Sequence, residues 1–229
     1  MRQVNDLAVR NRPHDLVQLV RDRILSGTVS SDLSIRQDVL AAELGVSKIP
    51  LREALAKLEQ EGLLRLHVNR GFFVAPLSAQ EAEEVYALRL RLEPEAVAEA
   101  AARAGIEEQQ LARAALQSLG MSTREHGEGV GPLNRAFHLA LIRPAGQPVT
   151  TSILERLHVL SERYVRKHLE PLGRDERADE EHGELLDRWL ARDADAVAGL
   201  MRAHILKTLQ DLRVQLPAID GAERFTATP

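Results

Sequence analysis

Apolar residues return at helical spacing along most of the chain. Leu16, Val17, Leu19, Val20, Ile24 and Leu25 predict a helix from about Pro13, with proline in the tolerated first turn and Gly27 as its C-cap. Ser34 and Gln37 have capping-box spacing and predict a second helix through Val39, Leu40 and Leu44, closed by Gly45. A third helix, KIPLREALAKLEQEG, follows the turn GVS. Ser47 stands at its N-cap, Leu51, Leu55 and Leu58 face inward, and Gly62 stops it. The pattern then shortens: LLRLHV and FFVAPL predict two strands about the turn NRG, with Asn69 and Gly71 as turn formers.

After the linker APLSAQ the helical period resumes to the end of the chain. Ser78 and Glu81 form a further capping box, opening a segment that Pro94 is expected to kink or divide. More helices are predicted near 106–118, 131–143, 149–169, 177–191 and 193–215, with GMSTREHGEGVGP and RPAGQP as loops. Helix, helix, tight turn, helix, hairpin is the order of a winged helix-turn-helix. The expected fold is therefore mainly α: a winged helix-turn-helix domain over 1–76, with 1–12 a mobile arm, then an all-α bundle over 77–229.

Composition agrees with packed helices. Hydrophobic residues make up 44% of the 229 positions and aromatics only 3%, so the core must come from Leu, Ala, Val and Ile. With no cysteine there is no disulfide, thiolate metal site or thiol nucleophile. No apolar run approaches the ~20 residues needed to cross a bilayer, and MRQVNDLAVRNRPHD lacks a secretory apolar core. The expected address is the cytoplasm. Charge divides unevenly: 11 Lys/Arg face 9 Asp/Glu in residues 1–76, and 19 face 25 in the rest. Two parts with different partners fit that asymmetry, as do two ordinary solvated surfaces.

In a helix-turn-helix the N-terminal tip of the second helix reaches base edges while its other face packs inward. Ser47, Lys48 and Arg52 occupy that tip, and Arg70 sits beside Gly71 at the wing turn, suited to the backbone or the minor groove. Spacing alone also fits a charged three-helix module that touches no nucleic acid. In the second half, Asn134 and His138 stand four apart in GPLNRAFHLALI and stack on one face. His182 shares a face with Leu185, Leu186 and Trp189, and His204 lies on the stripe of Val197, Leu200 and Met201. Each fits a hydrogen-bonded core histidine. Three on three helices also fit a metal site, because facing helices of a bundle build such sites and imidazoles with an oxygen donor suit zinc, nickel or a similar ion. His158 and His168 read as ordinary helix-surface or core residues.

The segment LAAELGVSKIPLREALAKLEQEGLLRLHVNRGFFVAPLS resembles the N-terminal signature of the GntR family of bacterial transcription regulators. The resemblance implies operator contact by Ser47, Lys48 and Arg52, with Arg70 and Gly71 in the wing. Lys48 stands where the family most often has Arg, which weakens bidentate guanine recognition. Ile49 replaces the common Thr, exchanging a polar contact for an apolar one such as a thymine methyl. The pieces YALRLRLEPEAVAEAAARA, LNRAFHLALIRPAGQ and DEEHGELLDRWLARDADAVAGLMRAHI resemble the FCD ligand-binding domain of the FadR-type branch. That resemblance implies a metal ion, zinc first and nickel or another transition metal second, on Asn134, His138, His182 and His204. Asn134 departs from the usual Asp and leaves an ion's +2 charge uncompensated, which predicts weaker metal retention and stronger attraction for anions. Arg89 is implied as a second anion-binding group; it is equally placed for a surface i,i+4 pair with Glu93.

These readings imply a homodimeric repressor, bound to double-stranded operator DNA and released by a small organic-acid effector beside a metal ion. A metal-dependent hydrolase using the same histidines is the rival, though no general-base motif accompanies them. A partner-binding helical bundle is the third reading.

Overall fold

The computed structural model describes residues 13–25, 29, 34–124, 130–169, 171 and 173–216. The expected arm over 1–12 and the C-cap at Gly27 lie outside the described residues. The chain divides into two compact units, Met1–Pro76 and Leu77–Pro229.

The first unit holds α1 (Pro13–Leu25), α2 (Gln37–Leu44), α3 (Lys48–Gln60), β1 (Leu64–His67) and β2 (Gly71–Val74). Its core gathers Leu16, Val20, Leu51, Leu55, Leu58 and Phe72. Both helix stops named from the sequence are αL turns. Gly45 has φ 65°, and the Val46 amide reaches back to the Ala41 carbonyl. Gly62 has φ 83°, with Gly62 N–H on Glu59 O and Leu63 N–H on Leu58 O, the two bonds of a Schellman motif. The strands pair antiparallel with Leu64 opposite Val74 and His67 opposite Gly71, and Asn69 takes φ 62° at the turn.

The expected capping box at Ser34 is not formed. Helix α2 starts at Gln37 after Arg36, which makes no side-chain cap bond. The Ile35 amide instead donates to the Phe72 carbonyl at 2.7 Å, so the residue after Ser34 is bonded to β2 and residues 34–36 stay outside the helix. Ser47 does occupy the N-cap of α3, but its hydroxyl makes no cap bond.

The second unit is α4 (Ala79–Arg103), α5 (Ile106–Arg124), α6 (Val130–Ile142), a 3-10 turn (Arg143–Ala145), α7 (Pro148–Leu169), α8 (Arg174–Leu190) and α9 (Ala194–Gln215). Helix α4 packs along α9 and also against α6, α7 and α8. Pro94 does not divide α4, which runs through it with the ring buried. The lost backbone bond is outweighed by neighbours holding the helix before and after it. Helix α5 extends to Arg124 and α6 begins at Val130, so the expected 120–132 loop is shorter than its glycines imply. The core is Leu- and Ala-rich around Phe137, Tyr164 and Trp189, and the Trp189 indole donates to the Leu141 carbonyl at 3.1 Å. In the α8–α9 turn Arg192 adopts φ 60°, and its guanidinium caps α4 through the carbonyls of Ala102 and Ala104 at 2.8 and 2.9 Å.

Among the described residues no helix is long and apolar enough to cross a membrane.

Gly45 has open space where a Cβ would stand, so a side chain there meets only the backbone cost of αL. Gly45→Ala is expected to lower the opening free energy of α2 and α3 by about 1–2 kcal/mol, and Gly45→Asn by less. Amide hydrogen exchange of the full chain reads both, and the amides of α4 to α9 serve as the unchanged reference.

Candidate functional site

In the first unit the tip of α3 presents Ser47, Lys48, Ile49 and Arg52, all exposed. Ile49 is 74% exposed, an apolar side chain that contributes nothing to the core and stands where another surface can cover it. Lys48 is ion-paired with Asp38 of α2, which tethers the ammonium at the tip. Arg70 lies at the end of the hairpin with its guanidinium 5.5 Å from the centre of the Phe73 ring, and Gly71 opens β2 at φ 90°. Arg36 escaped the sequence reading. It is exposed at the N-terminus of α2 and lines a shallow hollow with Gln37, Asp38 and Lys48. The false capping box at Ser34 hid it by starting the helix two residues early.

In the second unit α4 to α9 enclose a cleft. Its wall includes Arg89, Asn134, His138, His168, Asp179, His182 and His204. The structure therefore brings Asn134 and the three predicted histidines to one place. His138, His182 and His204 are buried, and one ring nitrogen of each lies within 4.8 Å of the others'. Their ring centres are 4.8 to 5.4 Å apart. His138 Nε2 and both nitrogens of His182 are buried without a hydrogen-bond partner, an arrangement that ordinarily costs about 1–3 kcal/mol per group. Histidines serving only the core would be bonded. Three imidazoles that converge, two of them with unpartnered nitrogens, fit a divalent transition ion, and Asn134 supplies an amide on the same wall.

Behind this wall lies a charged knot that sequence reading missed. Glu93 is completely buried. Its Oε2 accepts from Arg89 Nε at 2.7 Å, and its Oε1 lies 3.3 Å from Arg89 Nη2, 2.9 Å from His138 Nδ1 and 3.2 Å from His158 Nε2. Arg89 Nη1 reaches Ser161 Oγ at 3.2 Å. The i,i+4 pair of Arg89 with Glu93 thus exists, but in the interior, while Arg89 also lines the cleft. His158 and His168 are not surface residues: His158 stacks 5.0 Å from His138, and His168 is on the cleft wall with Nδ1 3.2 Å from Asp211. Their signal was composition alone, two histidines on the apolar stripe of α7.

A second carboxylate stands behind His204. Glu181 Oε2 is 2.7 Å from His204 Nδ1, and its Oε1 accepts from Lys207 at 2.8 Å. Burial raises the Glu93 carboxyl, but Arg89, His158 and the His138 bond outweigh it and hold it well below 4.5. Glu181 is held at about 2; burial opposes this, and the bonds from His204 and Lys207 prevail. Burial drives His138 down to about 3 against the pull of Glu93, and drives His182 well below 6.5 with the help of His204 and His138. Both imidazoles are therefore neutral at pH 7, the form that binds metal.

Helix α7 joins this region to the start of the unit. Tyr164 donates to Glu81 at 2.7 Å and also meets the Ser78 backbone, while Arg163 reaches the same Glu81 oxygen at 3.1 Å. Ser78 caps α4 as expected, its hydroxyl accepting from the Glu81 amide at 3.2 Å. Tyr164, in place of the Glu81 carboxylate, lies 3.3 Å from the Ser78 amide and accepts its hydrogen.

Residues 14–74 match the model of bacterial regulatory proteins of the gntR family, and residues 84–207 match the FCD domain. The chain belongs to the GntR family. It is 32% identical over 188 residues to the Nta operon transcriptional regulator of Aminobacter aminovorans, covering 82% of this chain and 87% of that protein. It is 29% identical over 197 residues to the HTH-type transcriptional repressor GlaR of Escherichia coli (strain K12), covering 82% and 89%. In fold it is similar to E. coli McbR/YncC, with a TM-score of 0.75 at 21% identity over 90% of this chain and 98% of that one. This GntR-family chain is a DNA-binding transcriptional regulator.

In this regulator Arg89 and Glu93 are a buried pair, so removing one partner strands the other's charge. Arg89→Ala is expected to cost about 3–5 kcal/mol, and Arg89→Met with Glu93→Leu to recover only part of it, because His138 then loses its carboxylate. Urea unfolding followed by the fluorescence of Trp189, the sole tryptophan, measures both.

Proposed function

We propose that this GntR-family regulator is a homodimeric repressor released from its operator by a small organic acid bound beside a metal ion. The observation that carries this reading is the convergence of three buried imidazoles, two of them with unpartnered nitrogens, on a cleft inside the regulatory unit. Zinc, or nickel in its place, would be held by His138, His182 and His204, with Asn134 as a neutral oxygen donor. The ion supplies an electrophile that a carboxylate can bind.

Arg89 takes a smaller share in anion binding than a free guanidinium would. Its Nε and Nη2 already face Glu93, so a ligand carboxylate must compete with Glu93 for them. The attraction for an acid therefore rests first on the ion. At the other unit, Ser47, Lys48, Ile49 and Arg52 would enter the major groove, with Arg70 and Gly71 on the wing side. A two-fold dimer would read two half-sites, as a pseudo-palindromic operator requires. Relatives that carry the word repressor in their names support that direction of control.

The route between the sites runs along α7. Ser161 holds Arg89, Val165 and His168 line the cleft, and Tyr164 bonds the residues that open α4 just after Pro76. An acid that shifts α7 would move Ser78, where the chain leaves the first unit.

Operator binding by gel shift tests the first half. Arg52→Ala is expected to weaken it about 10–100-fold with the helical content unchanged; undiminished binding would remove Arg52 from the interface. A panel of small carboxylic acids added to zinc-loaded and chelator-stripped protein tests the second half. Equal release from both forms would sink the metal-dependent reading.

Tyr164→Phe deletes one hydroxyl between the cleft helix and Ser78. It is expected to bind operator and acid within about threefold of wild type while losing most of the acid-driven release, on the scale of one coupling hydrogen bond. Fluorescence anisotropy on labelled operator, titrated with the acid that releases wild type, reads the difference.

A further inference from the structure

The metal reading names ligands but leaves open what fixes their rings, and the structure carries an answer in two carboxylates outside the cleft wall. Glu93 accepts from Arg89 through both oxygens, and Glu181 accepts from Lys207. A carboxylate engaged in that way is ionised and can only accept. The hydrogen in the 2.9 Å contact between His138 Nδ1 and Glu93 must therefore sit on Nδ1, and the same holds for His204 Nδ1 at 2.7 Å from Glu181. Each Nδ1 is then occupied, and Nε2 is the nitrogen left for coordination. His138 Nε2 is buried and has no partner, as such a role requires. Both nitrogens of His182 are buried without a hydrogen-bond partner.

We propose that Glu93 and Glu181 are positioning residues that fix His138 and His204 as Nδ1–H tautomers with Nε2 turned to a shared divalent ion. The proposal rests on the metal reading above. The two carboxylates come from different helices, α4 and α8, and each holds a histidine on another, α6 and α9. They therefore set the spacing of ligand rings across the bundle as well as the identity of the open nitrogen. Their own charges are matched by Arg89 and Lys207, so orientation, rather than neutralisation of the ion, is what they supply.

Glu181 gives the cleaner test, because its side chain is 16% exposed and its cationic partners Lys207 and Arg177 are themselves 50% and 34% exposed. Zinc affinity of the full-length protein is measured by competition with a chromophoric chelator, and ring geometry by the visible spectrum of the cobalt(II) form. Glu181→Ala is expected to weaken zinc binding about 10–100-fold and to alter the cobalt spectrum. Glu181→Gln, whose amide oxygen still accepts from Nδ1–H, is expected to recover most of the affinity. For Glu93, circular dichroism first establishes that Glu93→Gln is folded; zinc affinity largely kept in that folded variant supports the same role, and its loss would make charge the contribution and overturn it. Wild-type affinity and spectrum in Glu181→Ala would overturn the proposal and leave the metal reading standing. A Gln variant as weak as the Ala variant would also overturn it, since charge and not orientation would then be the contribution. Wild-type protein that binds neither zinc nor cobalt stoichiometrically would overturn both.

Discussion

The regulatory unit is organised around one ionised carboxylate buried in an apolar bundle. An isolated charge in such a place would cost many kcal/mol, so Glu93 fixes the position of every donor around it. Arg89 must come from one turn earlier on α4, His138 from α6, and His158 from α7. Three helices are thereby held in register at one level of the bundle, a specificity that Leu and Ala packing alone would not enforce. Such a core has many near-equivalent ways for one helix to slide along another. The polar knot removes them. It also ties the cleft to the frame, because the ring that Glu93 holds is one of the three that line it.

Helix α7 turns that frame into a lever. One side of it presents His158 to Glu93 and Ser161 to Arg89, while Val165 and His168 face the cleft. Tyr164 and Arg163 engage Glu81 in the first turn of α4. Within twelve residues the same helix borders the cleft and grips the start of its own unit, so a ligand that shifted it would act on both at once.

How much of this the sequence revealed depended on whether the signal was local. The stops at Gly45 and Gly62 and the cap at Ser78 were legible because each rests on neighbours in the chain. The same local logic misread Ser34, where the deciding bond joins the next residue, Ile35, to Phe72, 37 positions on. It also expected Pro94 to interrupt α4, a break that packing on four other helices overrides. In the cleft, periodicity placed His138, His182 and His204 on inward faces, and only the family resemblance made them one site. Glu93 was read only as a surface partner of Arg89, because i,i+4 spacing does not tell whether the pair faces solvent or the interior. His158 and His168 were passed over because helical period tells which way a residue faces and not which helix it meets.

Asn134 gains a more definite meaning from the charges around it. With Asp at that position, a bound divalent ion would have one unit of charge neutralised directly. The two carboxylates nearest the histidines do not replace that unit, since Glu93 is matched by Arg89 and Glu181 by Lys207. Asp179, the only acid among the residues lining the cleft, stands three positions before His182 but outside the cluster of converging nitrogens. An ion held by three neutral imidazoles and an amide would thus keep nearly its whole charge facing the cleft. Coulomb attraction at ~4 Å ranges from ~1 kcal/mol in water to several at an intermediate dielectric. An anionic ligand would gain that attraction, and the ion would be held less firmly until the anion arrives. With a neutral Asn134, metal retention and ligand binding would be coupled: by linkage, whatever tightened the ion's hold on the acid would tighten the acid's hold on the ion.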